Sequence, residues 1–202
     1  MFGSIPPITR TLIVACFAIF AIELLVGDPI ILYFALWPLG MSVDQGPGFM
    51  PWQIVTYSFL HGNLTHIAFN MLALYMFGSE LERVLGQQRY LNLYFTSVIS
   101  AALVQLALPF VLSIEPAPVL GASGGIFGLL LAYGVFFPRR TIVLLIPPIP
   151  MPARVFVILY GALELIMGVT GTQSGVAHFA HLGGMLGAWL LIRRWRGPRR
   201  YL

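Results

Sequence analysis

The sequence predicts an all-α integral membrane protein, a bundle of six transmembrane helices, and three observations carry that expectation. Of 202 residues, 58% are hydrophobic and only 9% are charged, where ordinary globular domains carry roughly 25% charged residues. The apolar residues gather into long blocks rather than spreading at amphipathic spacing, and each block is near the ~20 residues that a helix needs to cross a bilayer. The eleven basic residues, all arginine, lie at alternate ends of these blocks, as a chain that crosses repeatedly requires. The composition excludes an ordinary soluble fold.

The expected spans are residues 8–26, 58–77, 91–112, 121–137, 153–169 and 176–192. The first is long enough to cross and has no small-residue cleavage site after it, so it is expected to be an uncleaved helix rather than a signal peptide. It contains Cys16, the single cysteine, which excludes an intramolecular disulfide. Residues 27–55 are punctuated by Gly and Pro, and their apolar run 30–37 is too short to span. That run is expected in the interface, making this external loop partly membrane-embedded. Residues 146–152 read Ile-Pro-Pro-Ile-Pro-Met-Pro, where proline removes amide donors and fixes φ, so an extended connector is expected. The whole of 1–202 reads as one membrane domain without internal repeat, ending in a basic tail, 193–202.

Arg10, Arg83, Arg89, Arg139, Arg140, Arg154 and the arginines of the tail all fall on one side, while the opposite loops hold Asp28, Asp44 and Glu115. Both termini are therefore expected in the cytoplasm. The net charge of +4 then follows from topology, and the tail is expected to meet anionic lipid headgroups rather than nucleic acid.

Polar groups inside spans are costly, so each is a candidate functional residue. Ser123 stands in Gly121-Ala122-Ser123-Gly124-Gly125 at the start of a span, where unpaired amides and the helix dipole favour developing negative charge. It is either an acyl-transfer nucleophile or a helix cap among glycines that permit close packing, as in Gly124-xxx-Gly128. Counting ~1.5 Å per helical residue from the cytoplasmic charges puts Ser123 at roughly 24 Å, His66 at roughly 21 Å, His181 at roughly 18 Å and His178 at roughly 22 Å. Serine and imidazoles from three helices thus share one layer, and Ser123 lies below the outer surface, where water must descend to it. A serine beside an imidazole is the minimum for nucleophilic catalysis. Glu164, at about 15 Å, is expected one layer deeper, so the arrangement reads as a dyad. Its expected role is a protonated carboxyl bonded to a neighbouring helix, with a functional acid as the alternative. His66 and Asn70 project from one helix face, either as a polar pair joining helices or as oxyanion-hole donors with the Ser123 amide.

Taken together these residues resemble the rhomboid family of intramembrane serine proteases over about residues 52–187. The matching elements are His61-xxxx-His66-xxx-Asn70, Gly78-xxx-Glu82-xxx-Gly86, Gly121-Ala122-Ser123-Gly124 and Ala180-His181-xx-Gly184. The resemblance implies a compact six-helix protein of the bacterial form, sited in the inner membrane. By it, Ser123 is the nucleophile, His181 the general base, and His66 and Asn70 the oxyanion-hole donors. Phe127 matches the aromatic residue that packs against the catalytic histidine. It further implies serine endopeptidase activity on transmembrane protein substrates, whose helix unwinds near the outer face, with no cofactor and no metal. His178 is then a residue of the water-accessible rim. Two departures stand out: Gln53 follows Trp52 where the family often has arginine, which puts loop anchoring in doubt, and Ala188 replaces a glycine, with Gly187 beside it.

Other classes fit less well. A catalytically silent relative that binds membrane segments would not need Ser123 and His181 intact. A transporter would show repeat symmetry or paired interrupted helices. A zinc site from His61, His66, His178 and His181 lacks a His-Glu-x-x-His run and a carboxylate in the same layer.

Overall fold

The computed structural model describes residues 4–40, 47–112, 117–144, 147–172 and 177–195. Asp44, Glu115 and the tail from residue 196 onward, used above to predict topology and lipid contact, lie outside the described residues.

Helix α1 (Pro7–Val26) begins with proline, which has no amide to satisfy in the first turn. Its remaining free amides are capped from far along the chain. Glu82 Oε1 accepts from Ile8 N at 2.9 Å, and Oε2 accepts from Thr9 N at 2.7 Å and Thr9 Oγ1 at 2.8 Å. The carboxylate also meets the positive end of the helix dipole, which gives the middle residue of the Gly78/Glu82/Gly86 pattern a structural role. Cys16, on the inward face of α1, is fully buried.

The apolar run in the first loop forms α2 (Asp28–Phe34), followed by buried Ala35, Leu36 and Trp37. Leu36 pairs with Val119, the two exchanging backbone hydrogen bonds at 2.8 and 2.9 Å. The loop is thereby tied to the segment that leads into the serine. After α3 (Gln53–Thr56) and a 3-10 turn, Tyr57–Phe59, the chain breaks before α4 (Leu64–Ala73). The second span therefore starts at Leu64 rather than residue 58, and His61 precedes the helix instead of riding on it. The cause is local: Asn63 is the N-cap and its Oδ1 accepts from His66 N at 2.8 Å. A π-helical turn, Leu74–Gly78, carries α4 without interruption into α5 (Ser79–Leu85).

Helices α6 (Gln87–Val111), α7 (Ser123–Phe136), α8 (Ala153–Thr170) and α9 (His178–Trp195) complete the bundle. Ten of the fourteen residues of α7 are buried, so it is the axis of the core. Around it pack Tyr57, Leu74, Leu93, Tyr94, Val98 and Met185. At 1.5 Å per residue α7 is roughly 21 Å long, well short of a hydrocarbon core of about 30 Å. Helix α9 lies against both α6 and α7 and runs to Trp195, past the expected start of the tail.

Among the described residues, three helices, α1, α6 and α8, are long and apolar enough to cross a membrane. They turn large apolar side chains outward, Leu25 at 86%, Val111 at 77% and Val169 at 72% exposure, as lipid-facing surfaces do. The proline-rich connector between α7 and α8 is extended only over Pro150–Pro152: Ile146 lies outside the described residues, and Ile149 N donates back to Pro147 O at 2.8 Å, a turn where an extended segment was expected. Its end forms β2 (Pro150–Pro152), paired antiparallel with β1 (Thr141–Val143), Ile142 opposite Met151.

Candidate active site

Ser123 opens α7, and the backbone before it is held firmly. Gly121 N donates to Tyr57 O at 2.9 Å, while Tyr57 Oη donates to Val98 O at 2.8 Å on α6. Gly121 has φ +126°, and a Cβ there would meet His66 Nε2 at 2.8 Å. Only glycine combines that backbone with that close approach. Ser123 is the first residue of α7, so its amide has no partner within the helix.

His181 reaches Ser123 from α9. Ser123 Oγ donates to His181 Nε2 at 2.8 Å. The approach depends on Gly184, one turn on, where any Cβ would collide with the carbonyl oxygen of Gly124. The imidazole is clamped on its face by Phe127, with 4.1 Å between ring centroids and 7° between planes, and Phe127 in turn stacks on Tyr160 at 5.2 Å.

The other ring nitrogen holds the main surprise. His181 Nδ1 donates to Glu164 Oε2 at 2.9 Å, and the same oxygen lies 2.7 Å from His178 Nδ1. Glu164 is therefore not one layer deeper but in direct contact with His181. Counting rise from Arg154 treats α8 as upright and its side chain as having no length, and a tilted helix with a reaching glutamate overcomes ~5 Å. His178 is corrected too: it is 5% exposed, not a rim residue, and its Nε2 donates to Thr172 O at 3.1 Å.

The candidate oxyanion donors sit on α4. Gly62 N donates to His66 Nδ1 at 3.4 Å, which leaves the proton on Nε2, the atom resting on Gly121 beside Ser123. Asn70, one turn along, is buried, and its Nδ2 has no hydrogen-bond partner. Such an unsatisfied buried donor is costly unless something else uses it. His61 lies apart from this group in role: its amide donates to both Glu23 carboxylate oxygens at 3.2 Å, and its Nδ1 donates to Phe59 O at 3.2 Å.

Among the described residues, the grouping that offers three metal-ligating atoms is Glu164, His178 and His181, within 4.8 Å of one another. It is not the four-histidine set. Glu164 Oε2 already bonds to both Nδ1 nitrogens.

Gln53, the departure from the family pattern, is fully buried. Its Oε1 accepts from Trp37 N at 3.2 Å and Met50 N at 3.1 Å, and its Nε2 donates to Tyr33 O at 3.3 Å, which also accepts from Trp52 Nε1 at 2.9 Å. The first loop is anchored by neutral hydrogen bonds where the family often has a cation, so the loss of arginine does not leave it unanchored.

The sequence profile of the Rhomboid domain matches residues 48–195. The chain is 34% identical over 141 residues to rhomboid protein 1, mitochondrial, of Saccharomyces cerevisiae, covering 66% of this chain and 38% of that protein. It is 31% identical over 140 residues to rhomboid protease GluP of Bacillus subtilis, covering 68% of this chain and 25% of that one. With rhomboid protease AarA of Providencia stuartii the identity is 29% over 210 residues, covering 92% and 71%. The chain thus spans well under half the length of the first two of these relatives.

Proposed function

Because this chain belongs to the rhomboid family, we propose that it is an intramembrane serine endopeptidase in which Ser123 is the nucleophile and His181 its general base. The observation that carries the proposal is the 2.8 Å contact between Ser123 Oγ and His181 Nε2. A serine hydroxyl is a weak nucleophile until a neighbouring base takes its proton. His181 accepts that proton as Oγ attacks the peptide carbonyl, then returns it to the leaving amine, and a water repeats the sequence on the acyl-enzyme. The Ser123 amide, His66 Nε2–H and Asn70 Nδ2–H are the donors for the developing oxyanion, each typically worth ~3–4 kcal/mol. The unpartnered Asn70 amide supports its part.

The substrate is a transmembrane segment of another protein, cut near the outer face of the membrane. Residues that weaken helix formation, Gly and Pro above all, lower the cost of unwinding it. The chain crosses the membrane six times, by α1, α4 with α5, α6, α7, α8 and α9, with both termini in the cytoplasm. Arginines gathered at the end of the bundle remote from Ser123 support this orientation: Arg83 donates to Ser4 O at 2.9 Å, Arg140 pairs with Glu80 at 3.3 Å, and Arg193 lies over Trp189. Among the family's settings, the bacterial inner membrane is the one proposed.

Purified protein reconstituted with a transmembrane model substrate tests the proposal. Cleavage that Ser123→Ala and His181→Ala both abolish is expected. Wild-type cleavage by Ser123→Ala, with contaminating protease excluded, removes Ser123 from its role. Binding of the segment without any cleavage by the wild type favours the silent, segment-binding alternative.

A further inference from the structure

We propose that Glu164 is a positioning residue for the reaction, holding His181 in its productive tautomer and stabilising the imidazolium that forms when His181 takes the Ser123 proton, while His178 balances the charge of Glu164. This inference rests on the proteolytic role proposed above.

The geometry is that of a relay across three helices. Ser123 on α7 donates to His181 on α9, His181 Nδ1 donates to Glu164 on α8, and Glu164 meets His178 on α9. Glu164, His178 and His181 are each less than a tenth exposed. An acid so placed within an apolar helix is expensive unless it is compensated and used.

The protons can be assigned from the partners. Thr172 O can only accept, so His178 Nε2 carries a proton. The carboxyl oxygen Glu164 Oε2 accepts from His181 Nδ1–H, which leaves Nε2 to accept from Ser123 Oγ–H. One further proton then lies between Glu164 Oε2 and His178 Nδ1. It makes either a carboxylate facing an imidazolium or a carboxylic acid facing a neutral imidazole. The two forms carry the same net charge, zero, so the buried acid never stands as an uncompensated anion in the low-dielectric interior.

During attack the Ser123 Oγ–H bond breaks as the bond from Oγ to the carbonyl carbon forms, and the proton moves to His181 Nε2. Nδ1–H stays where it is, now on a cation, and its bond to Glu164 becomes charge-assisted. Glu164 receives no proton from serine. It acts through His181, as the third residue of a serine, histidine and carboxylate arrangement does.

An amide cannot replace this carboxylate, because a single atom faces both Nδ1 nitrogens. If that atom is NH₂, it donates to both, which drives His181 into the tautomer with its proton on Nε2, facing serine. If it is the amide oxygen, His178 must either stay charged without a counter-ion or lose its bond. Glu164→Gln is therefore the informative variant. The titratable groups around His181 are Glu164 from α8, His178 on its own helix and His66 from α4.

The experiment measures kcat, KM and the pH profile of kcat/KM for reconstituted wild type, Glu164→Gln and Glu164→Asp, with Ser123→Ala as control and thermal unfolding to check the fold. Glu164→Gln is expected to lose roughly 10²- to 10⁴-fold in kcat, with KM within about threefold and the acid limb of the profile moved to lower pH. Glu164→Asp, which keeps the charge but withdraws it by one methylene, is expected to recover part of kcat with the acid limb near its wild-type position. Folded Glu164→Gln with wild-type kcat and an unmoved acid limb overturns the proposal, as does a loss confined to KM. If Glu164→Gln does not fold, wild-type kcat in Glu164→Asp overturns it and a loss of at least about tenfold in kcat alone supports it. Persistent cleavage by Ser123→Ala instead overturns the proteolytic role itself, whatever Glu164 does.

Discussion

Phe127 and His181 lie ring on ring, one turn of α7 inward from the serine, with 4.1 Å between centroids. The stack fixes the plane of the imidazole, while Ser123 and Glu164 fix its rotation within that plane. Such contacts are worth about 0.5–1.5 kcal/mol. Phe127→Leu, which keeps apolar bulk but loses the flat face, is expected to lower kcat about 3- to 10-fold, with little change in KM. Steady-state kinetics on a reconstituted substrate decide it, and a wild-type kcat refutes the clamp.

Gly184 sets how closely α9 approaches α7. A methyl group there must displace the Gly124 carbonyl, and the helix shift moves His181 away from Ser123. Misplacement by ~1 Å costs about 100-fold in rate, so Gly184→Ala is expected to be folded and nearly inactive. Labelling of Ser123 by a fluorophosphonate should slow in parallel, and undiminished labelling speaks against the close approach as its cause.

Oxyanion donors act on charge that develops in the transition state. Asn70→Ala and His66→Ala are therefore expected to lower kcat by about 10- to 1000-fold each while leaving substrate affinity near wild type. Weaker binding with unchanged kcat would instead make them docking residues. Removing Asn70 also removes a buried, unsatisfied amide, so its alanine variant should unfold no more easily than wild type.

Gln53 holds the first loop through Trp37, Met50 and Tyr33. Gln53→Leu strands one buried donor, Trp37 N, and one half-buried donor, Met50 N, and weakens the hold on one acceptor, at up to about 1–3 kcal/mol for a buried group left unpaired. The expected result is a fall in thermal stability in detergent, with kcat retained below the transition. Unchanged stability would show that the loop is held elsewhere.

Much of this protein is legible in its sequence because lipid leaves so few choices. Helices long enough to cross announce themselves as apolar blocks, and Ser123, His66, Asn70, His178 and His181 stand out because polar groups there need reasons. What was hidden is of two kinds. The break before α4 has a local signal, Gly62-Asn63 ahead of Leu64, but the apolar run around it masks the cap. The contact between Glu164 and His181 has no local signal at all, since it depends on the tilt of α8 and the reach of a side chain from another helix. The two histidines three residues apart, with one acid alone in the fifth block, are in hindsight the trace it leaves. Gln53 likewise reads as a lost cation until the carbonyl and amides around it are placed.

Cys16 offers a use of another sort. It is the chain's single thiol, buried without exposure where α1 meets the core. An alkylating reagent can reach it only when α1 detaches or the bundle opens, so the rate of adduct formation, followed by mass spectrometry in proteoliposomes, becomes a clock for rare opening events. Because no cysteine need be introduced or removed, that clock runs in the unaltered protein. It can be read for each variant above, separating those that loosen the scaffold from those that silence only its chemistry.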